Sequence, residues 1–186
     1  ISNEGKTFIS RNFAQTLSLT GNKVILIDTD IRKRTQSALY HATNDEGLTS
    51  YLSESINDID ELIIPGKDEY HVDVLPAGVR PPNPAEWLMS NRLDQLIEEL
   101  RKRYDYIVID NVPAQVVADA GIVNRVADLT VYVVRDRKID RRFLPGLERL
   151  HREKKFNNMT ILLNDSKMEK KGYGYGYGYG YGYGYG

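Results

Sequence analysis

Apolar and amphipathic segments alternate along the chain, and this pattern predicts an α/β protein. Runs rich in apolar residues, typical of strands in a parallel sheet, lie at residues 24–27, 71–75, 107–109, 129–134 and 160–163. Apolar residues at helical spacing lie before the first of these runs, at 8–19, and between later ones, at 90–100 and 116–126, with short helical turns at 47–52 and 58–62. Strands that alternate with helices indicate a parallel sheet with right-handed crossovers and helices on both faces.

Local signals mark several element boundaries. The apolar residues of the first helix recur at near-helical spacing at Phe8, Ile9, Phe13, Leu17 and Leu19. Gly21 suits the position just after this helix because glycine readily adopts positive φ. Ser90 is expected to cap the next long helix. The proline-dense stretch 76–84 predicts a rigid, non-helical loop before that cap.

The segment 135–155 is strongly basic, with nine Lys or Arg residues and four acidic ones. Its apolar residues are Phe143, Leu144, Leu147 and Leu150. We interpret it as an amphipathic helix that begins near Pro145, since proline is tolerated only in the first turn. The basic face could meet a phosphorylated tail, an acidic partner or water, and solvent is the favoured interpretation.

The last residues, 172–186, repeat Gly-Tyr to the end of the chain. Glycine at alternate positions makes a folded element unfavourable, so we predict a disordered tail at 166–186 after a single domain at 1–165. The tail could be a low-complexity assembly segment or a string of phosphate acceptors. The candidate acceptors are its seven phenols, Tyr173, Tyr175, Tyr177, Tyr179, Tyr181, Tyr183 and Tyr185.

Candidate chemistry begins at Gly5-Lys6-Thr7, which matches the end of the phosphate-binding motif G-x-x-x-x-G-K-[ST]. In that motif, backbone N–H groups at a helix N-terminus cradle phosphates, the lysine reaches the β/γ-phosphates and the hydroxyl binds Mg²⁺. Three such residues alone are equally compatible with an ordinary turn that enters a helix. The motif should also follow a strand, but the sequence begins at Ile1, so we expect a fragment of a longer protein.

Acidic residues at strand ends strengthen the nucleotide-binding interpretation. Asp28 and Asp30 follow the strand at 24–27, and Asp110 follows the strand at 107–109. Ligands of open α/β folds bind at the carboxyl ends of the strands, where these acids and the phosphate loop would meet. An acid at such a strand end organises Mg²⁺ in P-loop NTPases.

Composition limits the remaining classes. The chain has 186 residues, 41% of them hydrophobic, which is enough for one domain with a substantial core. A formal net charge of −1 gives no general attraction to nucleic acid. The absence of cysteine excludes a disulfide framework and thiolate metal sites. No apolar run has the length of a membrane span, and no signal peptide is visible, although either could precede Ile1.

Several motifs together resemble the bacterial tyrosine kinases, or BY-kinases. They are the Gly-Lys-Thr loop, I-D-T-D-I-R at 27–32, L-P-A-G-V-R-P-P-N-P-A-E-W-L at 75–88, Y-D-Y-I-V-I-D-N-V-P at 104–113 and the C-terminal tyrosine cluster. The resemblance is to the cytoplasmic kinase domain of the autokinases that govern capsule and exopolysaccharide export. It implies a P-loop NTPase-like fold, ATP and Mg²⁺ as cofactors, and phosphate transfer to tyrosines of the tail, mainly in a neighbouring subunit.

The resemblance also implies residue roles. The residues expected at the nucleotide are Asn3, Glu4, Gly5, Lys6, Thr7 and Phe8. The expected catalytic residues are Lys6, Asp28, Asp30 and Asp110. The expected metal ligands are Thr7, Asp30 and Asp110. Within the catalytic set, Asp28 is the candidate for orienting the tyrosine hydroxyl.

Partners follow from the resemblance as well. It implies a ring-type homo-oligomer, a membrane-embedded polysaccharide co-polymerase as activator, fused or separate, and a phosphotyrosine phosphatase, but no nucleic acid. The implied location is the cytoplasmic face of the inner membrane. The helix that pairs subunits in the family's rings lies upstream of the loop, outside this sequence.

The sequence departs from the family pattern at two places, and two alternative functions remain open. Asn3 stands where the family usually has glycine. Asn111-Val112 replaces the usual Thr-Pro after Asp110, the residue that matches the family's Walker B acid. One alternative is a partition-type P-loop ATPase switch, which carries a further lysine at the position of Ile1. The other is a non-catalytic binding or scaffold module with a degenerate nucleotide site.

Overall fold

The computed structural model describes residues 4–31, 46–67, 71–79, 81–111, 117–138 and 140–166. The helices are α1 (Lys6–Leu19), α2 (Leu48–Leu52), α3 (Pro84–Met89), α4 (Asn91–Leu100), α5 (Val117–Asn124) and α6 (Leu144–Arg152). The strands are β1 (Val24–Asp28), β2 (Asp73–Leu75), β3 (Tyr106–Asp110), β4 (Val131–Arg135) and β5 (Thr160–Asn164). Short 3₁₀ helices lie at Ile59–Glu61 and Arg141–Phe143.

All the described strand pairs within sheets are parallel, as the apolar runs predicted. β1 is the central strand of a three-stranded sheet with the order β2-β1-β3, and β4 pairs with β5 in a second sheet. The register places Asp28 opposite Asp110 at the carboxyl ends of β1 and β3. It places Arg135 opposite Asn164 at the carboxyl ends of β4 and β5.

The core lies on both faces of the three-stranded sheet. On one face, Ile25 and Ile27 pack in a buried cluster with residues of α2, α4 and the connecting segments. On the other, Val24 and Leu26 pack with Ala14 of α1. β1 is buried along its whole length because successive side chains point to opposite faces and both faces are covered. This confirms the predicted α/β fold with helices on both sides of a parallel sheet.

The first helix differs from its sequence pattern in the face that it buries. Ala14 is fully buried, whereas Phe8, Phe13 and Leu19 are at least half exposed. Ala14 and the half-buried Leu17 are three residues apart and share the helix face that meets the sheet. The predicted stop is confirmed, because Gly21 follows the helix with a φ of 85°.

The described residues of the proline-dense stretch before Pro84 are non-helical, as predicted, but a helix that the sequence analysis missed begins at its last residue. α3 begins at Pro84, a residue tolerated at the first helical position because its missing N–H would have no partner there. Ser90 then occupies the N-cap position of α4, but its hydroxyl donates back to the Trp87 carbonyl (2.7 Å) and does not cap the helix. The basic segment is helical over α6, with Pro145 in the first turn as predicted.

No helix in the described ranges is both long and apolar enough to cross a membrane. The predicted tail at 166–186 lies outside the described residues, except for Ser166.

Candidate active site

The phosphate-binding motif forms the start of α1. Gly5 precedes the helix with φ 90° and ψ 19°, a left-handed conformation that glycine adopts without a Cβ penalty. The Ile9 N–H donates to the Gly5 carbonyl (2.8 Å), which closes the first helical turn. The N–H groups of Lys6, Thr7 and Phe8 therefore lie at the positive end of the helix dipole, as an anion site requires.

The helix direction places this site at one edge of the sheet. α1 ends at Leu19, and β1 begins five residues later at Val24. The helix is 14 residues long, about 21 Å, so it returns across the whole strand. The start of α1 is therefore at the carboxyl edge of β1, the edge that also holds Asp28.

The three acids predicted to act in catalysis lie at this edge. Asp28 and Asp110 are directly opposite in the β1–β3 register, and both are buried, with 0% and 3% of their surface exposed. Asp30 lies two residues beyond β1 and is half-buried, and its N–H donates to Asp28 Oδ1 (2.9 Å). This short turn directs the chain after β1 back over the Asp28 carboxylate.

Thr29 ties the ends of the two strands together, a role that the sequence analysis missed. Its N–H and its hydroxyl both donate to the Asp110 carbonyl, at 3.0 Å and 2.9 Å. The hydroxyl also lies 3.3 Å from Asn111 Oδ1. The sequence signal for this role was a threonine between two aspartates at the end of a predicted strand. These bonds hold the backbones that carry Asp28 and Asp110 in fixed register.

Lys6 and Glu4 form an ion pair within the loop. The distance from Lys6 Nζ to Glu4 Oε2 is 3.7 Å, and the Glu4 side chain is 7% exposed. Tyr132 of β4 lies within electrostatic range of the loop, since burial raises the pKa of Tyr132 and the Glu4 carboxylate raises it further. The second sheet therefore lies beside the phosphate loop.

Asn164, at the end of β5, is a further residue at the loop that the sequence analysis missed. Its side-chain Nδ2 donates to the Glu4 carbonyl (2.9 Å), and a Cβ at Gly5 would overlap this amide. The two partners are 160 residues apart in sequence. No local pattern could have indicated this contact.

The remaining predicted site residues include one that is exposed and several that lie outside the described residues. Phe8 is mostly exposed. Asn3 and the seven tail tyrosines lie outside the described residues, as does Val112. Within the described ranges, no three His, Cys, Asp or Glu side chains form a site suited to a metal ion. Protein Mg²⁺ sites usually need only one or two carboxylates with substrate phosphates and water, so the metal ligands Thr7, Asp30 and Asp110 stay a prediction.

The chain is similar to known proteins over most of its length. The sequence profile of the AAA domain family matches residues 3–152. A Klebsiella pneumoniae relative, named as a tyrosine-protein kinase in the cps region, is 42% identical over 133 residues, which are 72% of this chain and 18% of the relative. Tyrosine-protein kinase YwqD of Bacillus subtilis is 38% identical over 138 residues, which are 74% of this chain and 57% of the relative.

The solved kinase domain of the Escherichia coli tyrosine kinase ETK matches the fold with a TM-score of 0.82 at 30% identity, and the match covers 95% of this chain and 69% of that one. The parallel sheet, the Gly-Lys-Thr turn and the acids at the strand ends define an α/β domain of the P-loop class. The chain belongs to the AAA domain family and, within it, to the bacterial tyrosine kinases. It spans less than two thirds of the length of either curated relative.

Proposed function

We propose that this chain is the catalytic domain of an ATP-dependent protein-tyrosine autokinase that transfers the γ-phosphate of ATP to tyrosines of its own C-terminal tail. One observation carries the proposal: the start of α1 and the buried acids Asp28 and Asp110 share one edge of the sheet. Phosphoryl transfer is catalysed mainly by positioning and charge, and it needs donors for the phosphates and carboxylates for the metal.

The residues at this edge fit Mg²⁺ and ATP. The left-handed Gly5 and the N-terminus of α1 suit the β- and γ-phosphates, and Lys6 suits their oxygens as a cation. Thr7, Asp30 and Asp110 supply the oxygen ligands that Mg²⁺ prefers. When bound, Mg²⁺ would offset the charge of the phosphates. Lys6 now pairs with Glu4 at 3.7 Å, so nucleotide binding requires Lys6 to exchange this partner for phosphate.

Asp28 is the residue that we assign to orienting the acceptor hydroxyl. It is fully buried, and one of its oxygens is already used by the Asp30 N–H. A carboxylate is a much weaker base than a phenolate. Asp28 would therefore accept the tyrosine proton late in the transfer and contribute mainly by orientation.

The tail is the substrate in this proposal. β4 and β5 are parallel, and β5 ends at Asn164, which contacts the phosphate loop through Glu4. The tail, residues 166–186, therefore starts at the same edge as the candidate site. Its Gly-Tyr repeat of 15 residues spans at most about 50 Å when extended. That reach allows transfer to a neighbouring subunit's tail, which we expect to be the main reaction.

The biological setting follows from the family. The chain would act in a ring-type homo-oligomer at the cytoplasmic face of the inner membrane and regulate capsular or exopolysaccharide synthesis and export. A membrane-embedded polysaccharide co-polymerase, fused or separate, would activate it, and a phosphotyrosine phosphatase would reverse the reaction. The partition-type ATPase is not favoured, because the curated relatives described above and the solved structure that matches at 30% identity are named as tyrosine kinases.

The test is incubation of the intact chain with Mg²⁺ and ATP, followed by mass spectrometry. We expect stepwise phosphate additions confined to Tyr173–Tyr185, which Lys6→Met abolishes and Lys102→Met leaves unchanged. Lys102 is an exposed lysine in the turn after α4, far from the loop in sequence, and it controls for loss of charge. Release of ADP without phosphate on the tail would contradict the proposal and favour an ATPase switch.

A mixing experiment tests transfer between subunits. Isotopically labelled Lys6→Met chain is incubated with unlabelled wild-type chain, Mg²⁺ and ATP. Phosphate on the labelled tail shows transfer between chains, since the labelled chain has lost its own loop lysine. Phosphate confined to the unlabelled chain would contradict transfer from the wild-type chain to the Lys6→Met chain.

A further inference from the structure

We infer that Asn164 is a positioning residue that holds the phosphate loop in its binding conformation from the end of β5. The inference rests on the proposed nucleotide site at Gly5-Lys6-Thr7. It adds to that proposal that the second sheet supports the phosphate loop through the side chain of Asn164, which is distant from the loop in sequence.

The backbone of Asn164 is fixed by its neighbours in the second sheet. It is the last residue of β5 and lies opposite Arg135 in the parallel register. Its carbonyl accepts a hydrogen bond from the Asp136 N–H (2.8 Å). Arg135 also forms an ion pair with Asp165 (2.9 Å), so the residue after Asn164 is held to β4 as well.

The orientation of the Asn164 amide is determined by two hydrogen bonds. Its Nδ2 donates to the Glu4 carbonyl (2.9 Å), and its Oδ1 accepts from the Asp165 N–H (2.9 Å). A reversed amide would place oxygen against the Glu4 carbonyl and N–H against the Asp165 N–H. Only the present orientation satisfies both partners, so the donor is directed at the loop.

This bond also sets the direction of the next N–H in the loop. The peptide between Glu4 and Gly5 is trans and planar, so its C=O and N–H point in opposite directions. Because the Glu4 carbonyl points at Asn164, the Gly5 N–H points away from it. Asn164 thereby prevents the peptide from turning over, a rotation that the flexible glycine would otherwise permit.

Packing adds to the same restraint. The Asn164 amide occupies the space that a Cβ at position 5 would need. Gly5 is therefore required both for its φ of 90° and for the close approach of this side chain. An amide is neutral, so it restrains the loop without adding charge beside the phosphates.

The experiment compares the wild-type chain of 186 residues with Asn164→Asp and Asn164→Ala. Asp has the same shape but no donor, and its charge opposes both the Glu4 carbonyl and a bound phosphate. ADP binding with Mg²⁺ is measured by calorimetry, and hydrogen exchange of the loop amides is measured without nucleotide. We expect about a 5- to 10-fold weaker ADP affinity for Ala, from one lost hydrogen bond, a larger loss for Asp, and faster exchange of the residue 4–9 amides in both.

Asn157→Ala is the matched control. Asn157 lies just before β5 at the opposite edge, and its side chain also donates to backbone carbonyls, those of Asn124 (3.1 Å) and Ala127 (2.9 Å). This variant should lower the melting temperature without changing ADP affinity or loop exchange. A purely structural role for Asn164 would produce the same result.

The outcomes separate this inference from the proposed function. Unchanged loop exchange in the Asn164 variants, or ADP affinity equal to that of Asn157→Ala, overturns the inference and leaves the kinase proposal intact. A wild-type chain that binds no ADP contradicts the proposed function itself. In that case the exchange data still decide whether Asn164 restrains the loop.

Discussion

Arg125 joins three helices, and its replacement should cost more stability than that of the more exposed ion-pair residue Arg101. Its guanidinium donates to the Asp94 carboxylate at 2.9 Å and 3.2 Å. It also donates to the carbonyls of Leu88 (2.8 Å), Ser90 (3.0 Å) and Ile122 (2.9 Å). One side chain thus holds the end of α3, the start of α4 and the last turn of α5 together.

The expected magnitude follows from these contacts. Hydrogen bonds from a charged donor contribute about 1.5 to 3 kcal/mol each when water is excluded. The Arg125 side chain is 32% exposed, so water can replace part of the lost bonding. We therefore expect Arg125→Met to lower the free energy of unfolding by about 2 to 3 kcal/mol in total. For a domain of this size, the melting temperature should fall by about 5 to 10 °C.

The assay is urea denaturation followed by circular dichroism, with Arg101→Met as the control. Arg101 pairs with Asp128 (2.9 Å), whose side chain is 80% exposed, and makes only a long hydrogen bond to the Val126 carbonyl (3.4 Å), so its loss should cost at most about 0.5 kcal/mol. Both changes remove one arginine and keep an unbranched side chain. Equal midpoints for Arg125→Met and Arg101→Met would refute the reasoning.

The pH dependence gives a second check on Arg125. Its hydrogen bond lowers the pKa of Asp94 below the ordinary value. The ionised carboxylate therefore stabilises the folded state above the unfolded pKa of about 4, and this contribution is lost as pH falls through the lower folded pKa. The difference in stability between wild type and Arg125→Met should shrink as the medium is acidified below about pH 4. A constant difference would show that Asp94 is not the titrating partner.

Two further predictions concern the half-buried Tyr104 and two glycines with positive φ, Gly78 and Gly21. Burial, and then the hydrogen bond to Asp73 (2.7 Å), raise the pKa of Tyr104. The neutral phenol therefore stabilises the fold, and this contribution is lost progressively as pH rises above the unfolded pKa of about 10. Tyr104→Phe should cost about 1 kcal/mol at neutral pH, and denaturation at rising pH should show that the variant loses less stability in alkali than the wild type. Gly78 and Gly21 have similar φ values, 81° and 85°, but a Cβ at Gly78 would overlap Thr49 Oγ1 whereas a Cβ at Gly21 would meet nothing. Gly21→Ala should therefore cost about 1 to 2 kcal/mol from backbone strain alone, and Gly78→Ala about 1 to 3 kcal/mol more; equal melting temperatures would contradict the predicted overlap.

The sequence by itself determined the features that depend on neighbouring residues. The buried strand β1 was predictable because four consecutive apolar residues suit a strand covered on both faces. The Gly5-Lys6-Thr7 turn was predictable because its three residues are contiguous in the chain. The acids Asp28 and Asp110 were predictable because each directly follows an apolar run that predicts a strand. The parallel arrangement then brought the acids to one edge by topology alone.

Only the tertiary structure decided which residues support that edge. Asn164 reaches Glu4 across 160 residues, and Thr29 reaches the Asp110 carbonyl across 81. Hydropathy also predicted the existence of α1 but not its buried face, since Ala14 meets the sheet while Phe8 is exposed. Local patterns report propensity and periodicity, whereas burial and long-range hydrogen bonds depend on which distant segment lies opposite.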